Sequence, residues 1–313
     1  MLFRSIGRIT DAPNVSEVLR VLSQESEYEF SSSKGIKDYE SVLMSGLKNM
    51  YGLLYKISAH REIVDIPACK YDFHNLKVAL KSKYIHNDAD YLYLNITTLD
   101  PARIKDFVKS GAENDEFPAY ITAAAGDAQN KFDESGEPQD IDVILDRHMF
   151  AYMLSVCEKV QNDFITEYVR LSIDFYNIKT LLRVKNMQKG SRFLNESLVS
   201  GGLTHTDFFL RNYDKSPEML TSVFHYKYFG DVIKNGMESY SKEGNYSGLE
   251  KLFDNCLISH IKKAKYVAFG AEVLFAYIIS KENEMRQIRI LVTCKNNNIP
   301  VEILKERLRD NYA

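Results

Sequence analysis

DFHNLKVALKSK, residues 72–83, is spelled again as DFYNIKTLLRVK at 174–185. Asp72, Phe73, Asn75, Lys77, Leu80 and Lys83 recur as Asp174, Phe175, Asn177, Lys179, Leu182 and Lys185, each 102 positions on. Chance supplies two or three such matches. Six at fixed offsets mark an internal repeat, which sets the architecture before any other feature is weighed. A third, more divergent copy, EMRQIRILVTCK, occupies 284–295. There Glu284, Gln287, Ile288, Arg289, Val292 and Lys295 stand 110 positions after Asp174, Asn177, Ile178, Lys179, Leu182 and Lys185, and chemical type is kept throughout.

The similarity spreads outward from these twelve residues. After each copy comes a helix start: Leu99-Asp100-Pro101 before Ile104, Leu203-Thr204-His205 before Phe208, and Ile299-Pro300 before Leu304. Asp100 and Thr204 suit the N-cap, and Pro101 the first helical position. Phe117-Pro118 and Ser216-Pro217 each open a further apolar helix. Long helices then carry Leu145, Met149 and Met153, or Leu249, Phe253 and Leu257, at four-residue spacing, and lead into copies two and three. A similar helix at about 41–59 precedes copy one.

Almost every segment reads with helical period, so the expected fold class is all-α. It consists of three helical units with approximate limits 1–103, 104–206 and 207–313, the last stopping early at Ala313. Tyr91–Thr97 (YLYLNIT) alternates and is the one place where a short strand is admitted. The acidic stretch 125–140, AGDAQNKFDESGEPQD, reads as a solvated loop between units.

On a helix, Asp174, Asn177, Ile178, Leu181 and Lys185 share one face, with Lys179 off it. The same stripe carries Asp72, Asn75, Leu76, Ala79 and Lys83 in copy one, and Glu284, Gln287, Ile288, Leu291 and Lys295 in copy three. Buried without partners, such polar groups cost roughly 2–7 kcal/mol each, so they should form paired networks that fix helix register. An enzyme would instead use Asp174, Asn177 and Lys179 as acid, base and binding groups. Catalysis, though, needs one asymmetric constellation rather than three similar ones. The nine stripe residues Asp72, Asn75, Lys83, Asp174, Asn177, Lys185, Glu284, Gln287 and Lys295 are therefore expected to anchor the repeat structurally.

No phosphate loop, G-x-G-x-x-G, H-E-x-x-H or G-x-S-x-G occurs, and Gly201-Gly202 reads as a bare turn. Catalytic, cofactor and metal sites are thus not expected. The cysteines at 69, 157, 256 and 294 form no C-x-x-C pair and read as reduced, mostly buried thiols. The net charge of −3 argues against nucleic acid as a partner. The most apolar stretch, Tyr266–Ile279, is too short for a bilayer and holds Glu272. The chain is expected to be cytoplasmic and to meet a membrane only through another protein. A repeated helical unit of this kind points to a scaffold, spacer or adaptor.

The segments IDFYNIKTLLRVK and FGAEVLFAYIISKENEMRQIRILVTCKNNNIPVEILKERL resemble the C-subunit family of prokaryotic V-type (A/V-type) rotary ATPases, whose eukaryotic counterpart is the d subunit. The resemblance lies in the Tyr176-to-Lys185 segment, in Phe269-Gly270-Ala271-Glu272, and in Ala276-Tyr277, Glu284, Arg289, Lys295 and Ile299-Pro300. It implies three similar helical units around a pseudo-threefold axis in a funnel. It also implies a non-catalytic subunit on the cytoplasmic face of the membrane, with no cofactor; the isolated chain is expected to be a monomer. That subunit joins the central-stalk D and F subunits to the proteolipid rotor ring, so that torque couples ATP hydrolysis or synthesis to H⁺ or Na⁺ transport. No contact residues carry over from the resemblance. The alternative is a soluble α-helical repeat adaptor binding protein or peptide partners in a groove.

Overall fold

Each copy of the repeat folds as the second half of a long α-helix. A computed structural model describes residues 6–25, 39–85, 89–96, 99–110, 117–225, 230–243 and 246–312. Among these the helices are α1 (Ile6–Asp11), α2 (Val15–Glu25), α3 (Tyr39–Ile57), α4 (Arg61–Ile85), α5 (Pro101–Ser110), α6 (Ala119–Ser135), α7 (Pro138–Val160) and α8 (Asp163–Asn186). They continue as α9 (Ser191–Ser197), α10 (Thr206–Arg211), α11 (Pro217–His225), α12 (Gly230–Glu243), α13 (Ser247–Lys262), α14 (Ala271–Asn296) and α15 (Val301–Arg307). The fold is all-α, with no strand among the described residues. The repeats sit on α4, α8 and α14. Gln188 and Asn298, 110 positions apart, both take a left-handed conformation just past their helix, so the repeat extends to backbone detail.

Two sequence expectations fail here. Residues 125–140 are mostly helix, and only Gly136 and Glu137 separate α6 from α7. Ala124, Ala125 and Ala128 are buried on one face of α6, and the Phe132 ring lies 4.0 Å from the Tyr84 ring. The acidic residues Asp127, Asp133 and Glu134 occupy the more exposed side, which is what gave the stretch its loop-like composition. Gly136, at φ 68°, closes α6 by donating its N–H to the Phe132 carbonyl, and Pro138 opens α7. The candidate strand is also absent. Tyr91 and Leu92 belong to a 3₁₀ turn, Tyr93 to Ile96 have no strand partner, and Thr97 lies outside the described residues.

The chain forms two compact units, one of Lys48–Tyr213 and one of Met1–Leu47 with Asp214–Ala313. In the first, α4 packs on α5, α6 and α7, and α8 on α7, α9 and α10. Lys77 and Lys81 on α4 meet Asp146 and Asp142 on α7, both at 2.5 Å, so two ion pairs one turn apart lock the helices antiparallel. Asp146 also accepts the Tyr176 hydroxyl at 3.3 Å. Lys77→Glu is expected to destabilise by about 1–2 kcal/mol, and adding Asp146→Lys to restore more than half of it. Chemical denaturation of the two single variants and the double variant measures this coupling. Additive losses would refute it.

In the second unit α14 packs on α2, α13 and α15, and α1 packs on α2 and α15. Arg289, at the repeat position of Lys77, grips Glu40 on α3 through Nε at 2.9 Å and Nη2 at 2.7 Å. Helix α15 lies 110 positions after α9, not after α10 as the capping pattern suggested. Its N-cap, Pro300, has no capping side chain. The place of α5 and α10 beside the third copy is filled by α1, followed by Pro13 and α2 just as α5 is followed by Pro118 and α6.

Candidate functional site

The repeated stripe uses one amine in the same way in all three copies and one amide in the same way in the first two. Asn177 is fully sealed from solvent. Its Nδ2 donates to the Val199 carbonyl at 2.8 Å, and its Oδ1 accepts the Val199 N–H at 2.9 Å. Asn75 treats Leu94 in the same way, at 2.8 Å in both directions. A side-chain amide thus replaces a neighbouring strand. Tyr93, extended just past the 3₁₀ turn, thus leads into Leu94 without either joining a sheet. Gln287 is one methylene longer and reaches the Asn311 side chain instead, while Asn283 donates to the Asp310 carbonyl at 2.9 Å.

Each lysine of the stripe holds the end of a short helix. Lys83 donates to the Val108 carbonyl on α5 at 3.1 Å, Lys185 to the Tyr213 carbonyl just past α10, and Lys295 to the Thr10 carbonyl on α1 at 2.7 Å. An ammonium at the carbonyl end of a helix satisfies a lone acceptor and complements the helix dipole.

The carboxylates differ between copies. Asp174, 1% exposed, accepts the Thr204 N–H at 3.1 Å and its hydroxyl at 3.0 Å. Thr204 is therefore not the N-cap of α10. His205 takes that position, its Nδ1 accepting the Asp207 N–H at 3.3 Å. Gly201 and Gly202 are more than a turn. Gly201 has φ +94°, and a Cβ on Gly202 would lie 2.1 Å from Asp174 Oδ1. A bare hydrogen is what lets this loop settle onto α8. Asp72 is buried beside a tyrosine group, and its charge adds to the burial that holds the Tyr55 and Tyr120 hydroxyls well above their usual range. Glu284 faces Lys281 on its own helix at 3.6 Å.

Two neighbouring cavities of about 550 and 660 Å³ run along α7 in the Lys48–Tyr213 unit, sharing Leu154, Glu158 and Gly201 in their walls. Arg147 and His148 line one, and Arg170 the other. Neither of these two cavities is lined by Asp174, Asn177 or Lys179. The described residues hold no group of three His, Cys, Asp or Glu side chains able to bind a metal. No described helix is long and apolar enough to cross a membrane.

Cys69, Cys157 and Cys294 are buried, and Cys256 is half-buried. Burial pushes the Cys157 thiol up to about 11, against an opposing bond from Thr166, and raises Cys256 as well. Iodoacetamide at neutral pH is expected to label native protein at least tenfold more slowly than denatured protein at these two thiols. Peptide mapping of the modified cysteines checks this.

Sequence reasoning placed the stripe but missed its receivers, Val199, Leu94, Thr204 and Thr10. Their bonds use mainly backbone atoms, which leave no mark on residue type. The pair Gly201-Gly202 was the single available signal.

The family profile described as ATP synthase (C/AC39) subunit matches residues 5–307. The V-type sodium ATPase C subunit of Enterococcus hirae is 27% identical over 276 residues, covering 88% of this chain and 83% of that protein. The A-type ATP synthase C subunit of Methanocaldococcus jannaschii is 21% identical over 323 residues, covering 97% and 81%. That of Thermococcus kodakarensis is 24% identical over 287 residues, covering 88% and 76%.

Proposed function

The chain belongs to the ATP synthase (C/AC39) subunit family, and we propose that it is the non-catalytic coupling subunit of a rotary V/A-type ATPase. In this reading it sits on the cytoplasmic side of the membrane rotor ring and receives the foot of the central stalk, the D and F subunits. It passes torque between ATP turnover and ion movement. The observation that carries the reading is the match along nearly the whole chain, 5–307, to a family of ATPase subunits.

The geometry of the stripe supports it. A torque coupler must resist shear, and helices pinned by buried amides and lysines at repeated positions resist sliding. The stripe residues act as structural anchors in all three copies. In this reading the family resemblance implies three units, with limits near 103 and 206, around a pseudo-threefold axis as a funnel. Such a body can bridge a stalk of low symmetry and a ring of many copies.

The test mixes the purified chain with the D–F pair of the same organism and measures complex mass by light scattering after size exclusion. A complex holding one copy of each supports the coupling role. If no complex forms, even after rotor ring in detergent is added, the coupling role fails and a groove-binding adaptor takes its place.

A further inference from the structure

The three long repeat helices are entered by linkers of unequal length. Residues 58–60 lead into α4 and residues 161–162 into α8, but residues 263–270 lead into α14. The third copy alone carries an eight-residue linker, and its sequence is KAKYVAFG. It begins as a 3₁₀ turn, Lys263–Tyr266, anchored by the buried Ala264 and closed by the Val267 N–H to the Ala264 carbonyl at 3.1 Å. From Lys265 to Gly270 every residue is exposed, with Tyr266 at 94% and Phe269 at 91%. Val267, and Val273 and Tyr277 on the first turns of α14, extend the apolar surface.

Bare aromatic rings at this exposure are unfavourable in water, and an apolar cluster of this kind marks a surface that meets something. Charge says what. Between Asn255 and Ala271 there is no Asp or Glu, while Lys262, Lys263 and Lys265 all fall there, against a chain net charge of −3; the next carboxylate, Glu272, lies beside Gly270 at the far end of the loop. The Lys265 ammonium lies 5.1 Å from the Tyr312 ring, so the base of the loop is held. Shape narrows the choice. Six consecutive exposed residues make a convex tip, not a groove, so no helix or strand is cradled there. A bilayer interface accepts a convex tip without matching its contour. Tyr and Phe rings partition into that layer, and lysines reach its phosphates.

We propose that the 263–270 loop is a lipid-contact tip: Tyr266, Val267 and Phe269 enter the interfacial layer of an anionic bilayer, with Lys263 and Lys265 against its phosphates. The contact is direct, in addition to any made through another protein of an assembly, and it does not depend on the coupling role. The loop tethers the third copy to the lipid surface.

The chain has no Trp, so Phe269→Trp gives the full-length protein a single fluorophore at the tip. With phosphatidylglycerol-rich vesicles its emission is expected to move to shorter wavelength and to be quenched by brominated lipid. Phosphatidylcholine vesicles should require far more lipid for the same shift. One loop binds weakly, so the titration runs to millimolar lipid. Lys263→Glu and Lys265→Glu in this background each weaken binding about fivefold, and Tyr266→Ser weakens it about tenfold. These exposed positions leave the circular dichroism spectrum unchanged. Emission that stays fixed across the anionic titration overturns the proposal. So does a shift produced by lipid-free rotor ring in detergent when vesicles give none, which would make the tip a protein contact.

Discussion

Asn177→Leu is expected to destabilise the Lys48–Tyr213 unit by about 3–5 kcal/mol. Leucine is close to asparagine in shape, so packing changes little. What changes is Val199, 3% exposed, whose N–H and carbonyl both lose their partner at once. Each stranded backbone group costs roughly 1–3 kcal/mol. Against a total stability of roughly 5–15 kcal/mol, this is a large fraction. Urea unfolding should show a lower midpoint at unchanged slope, and hydrogen exchange should speed up first in α8 and α9. Asn75→Leu should cost about half as much, because Leu94 is only half-buried and water can replace the lost bonds. Equal losses at the two sites would mean that the cost is not one of stranded backbone.

Removing residues 1–25 is expected to abolish cooperative unfolding of the other unit. Ile9, Val18 and Leu22 within α1 and α2 are entirely buried, and Val15 and Val21 nearly so. Each such side chain contributes roughly 1.5–3 kcal/mol on burial, so the five together exceed about 7 kcal/mol. The truncated chain should expose α14 and α15 to fast hydrogen exchange and should bind a hydrophobic dye. Lys295→Met removes just the bond to the Thr10 carbonyl and should cost about 1–2 kcal/mol. If the truncated protein keeps native protection at Ile288 and Leu291, α1 and α2 are accessories and the third copy is complete without them.

The all-α class and the positions of the three long helices were legible because each rests on side-chain periodicity. The twelve-residue repeat, with six identities between its first two copies and like chemistry in the third, showed which face of α4, α8 and α14 is equivalent. What could not be read were events decided by backbone. The stretch 125–140 looked like a loop because its charged residues dominate composition, whereas three small alanines do the packing. Thr204 looked like a cap, yet its hydroxyl is taken by a carboxylate 30 residues earlier. Arg289 and Glu40 are 249 residues apart and carry no local pattern that would pair them. The role of Gly201 and Gly202 was hidden for a related reason: a glycine pair shows that Cβ is absent without showing what its absence makes room for.

The bond from Lys295 to Thr10 spans 285 residues of chain. On a ribosome, that separation becomes a delay. Helix α1 emerges early, but its seat beside α14 and α15 is made only near residue 300. At about 5–20 residues per second, α1 waits on the order of 15–60 s with Ile9 uncovered. A helix that leaves the tunnel well before α14 and α15 is thus placed only once they have followed it. During that interval its apolar face is open to chaperones, to proteases and to the first segments of neighbouring nascent chains.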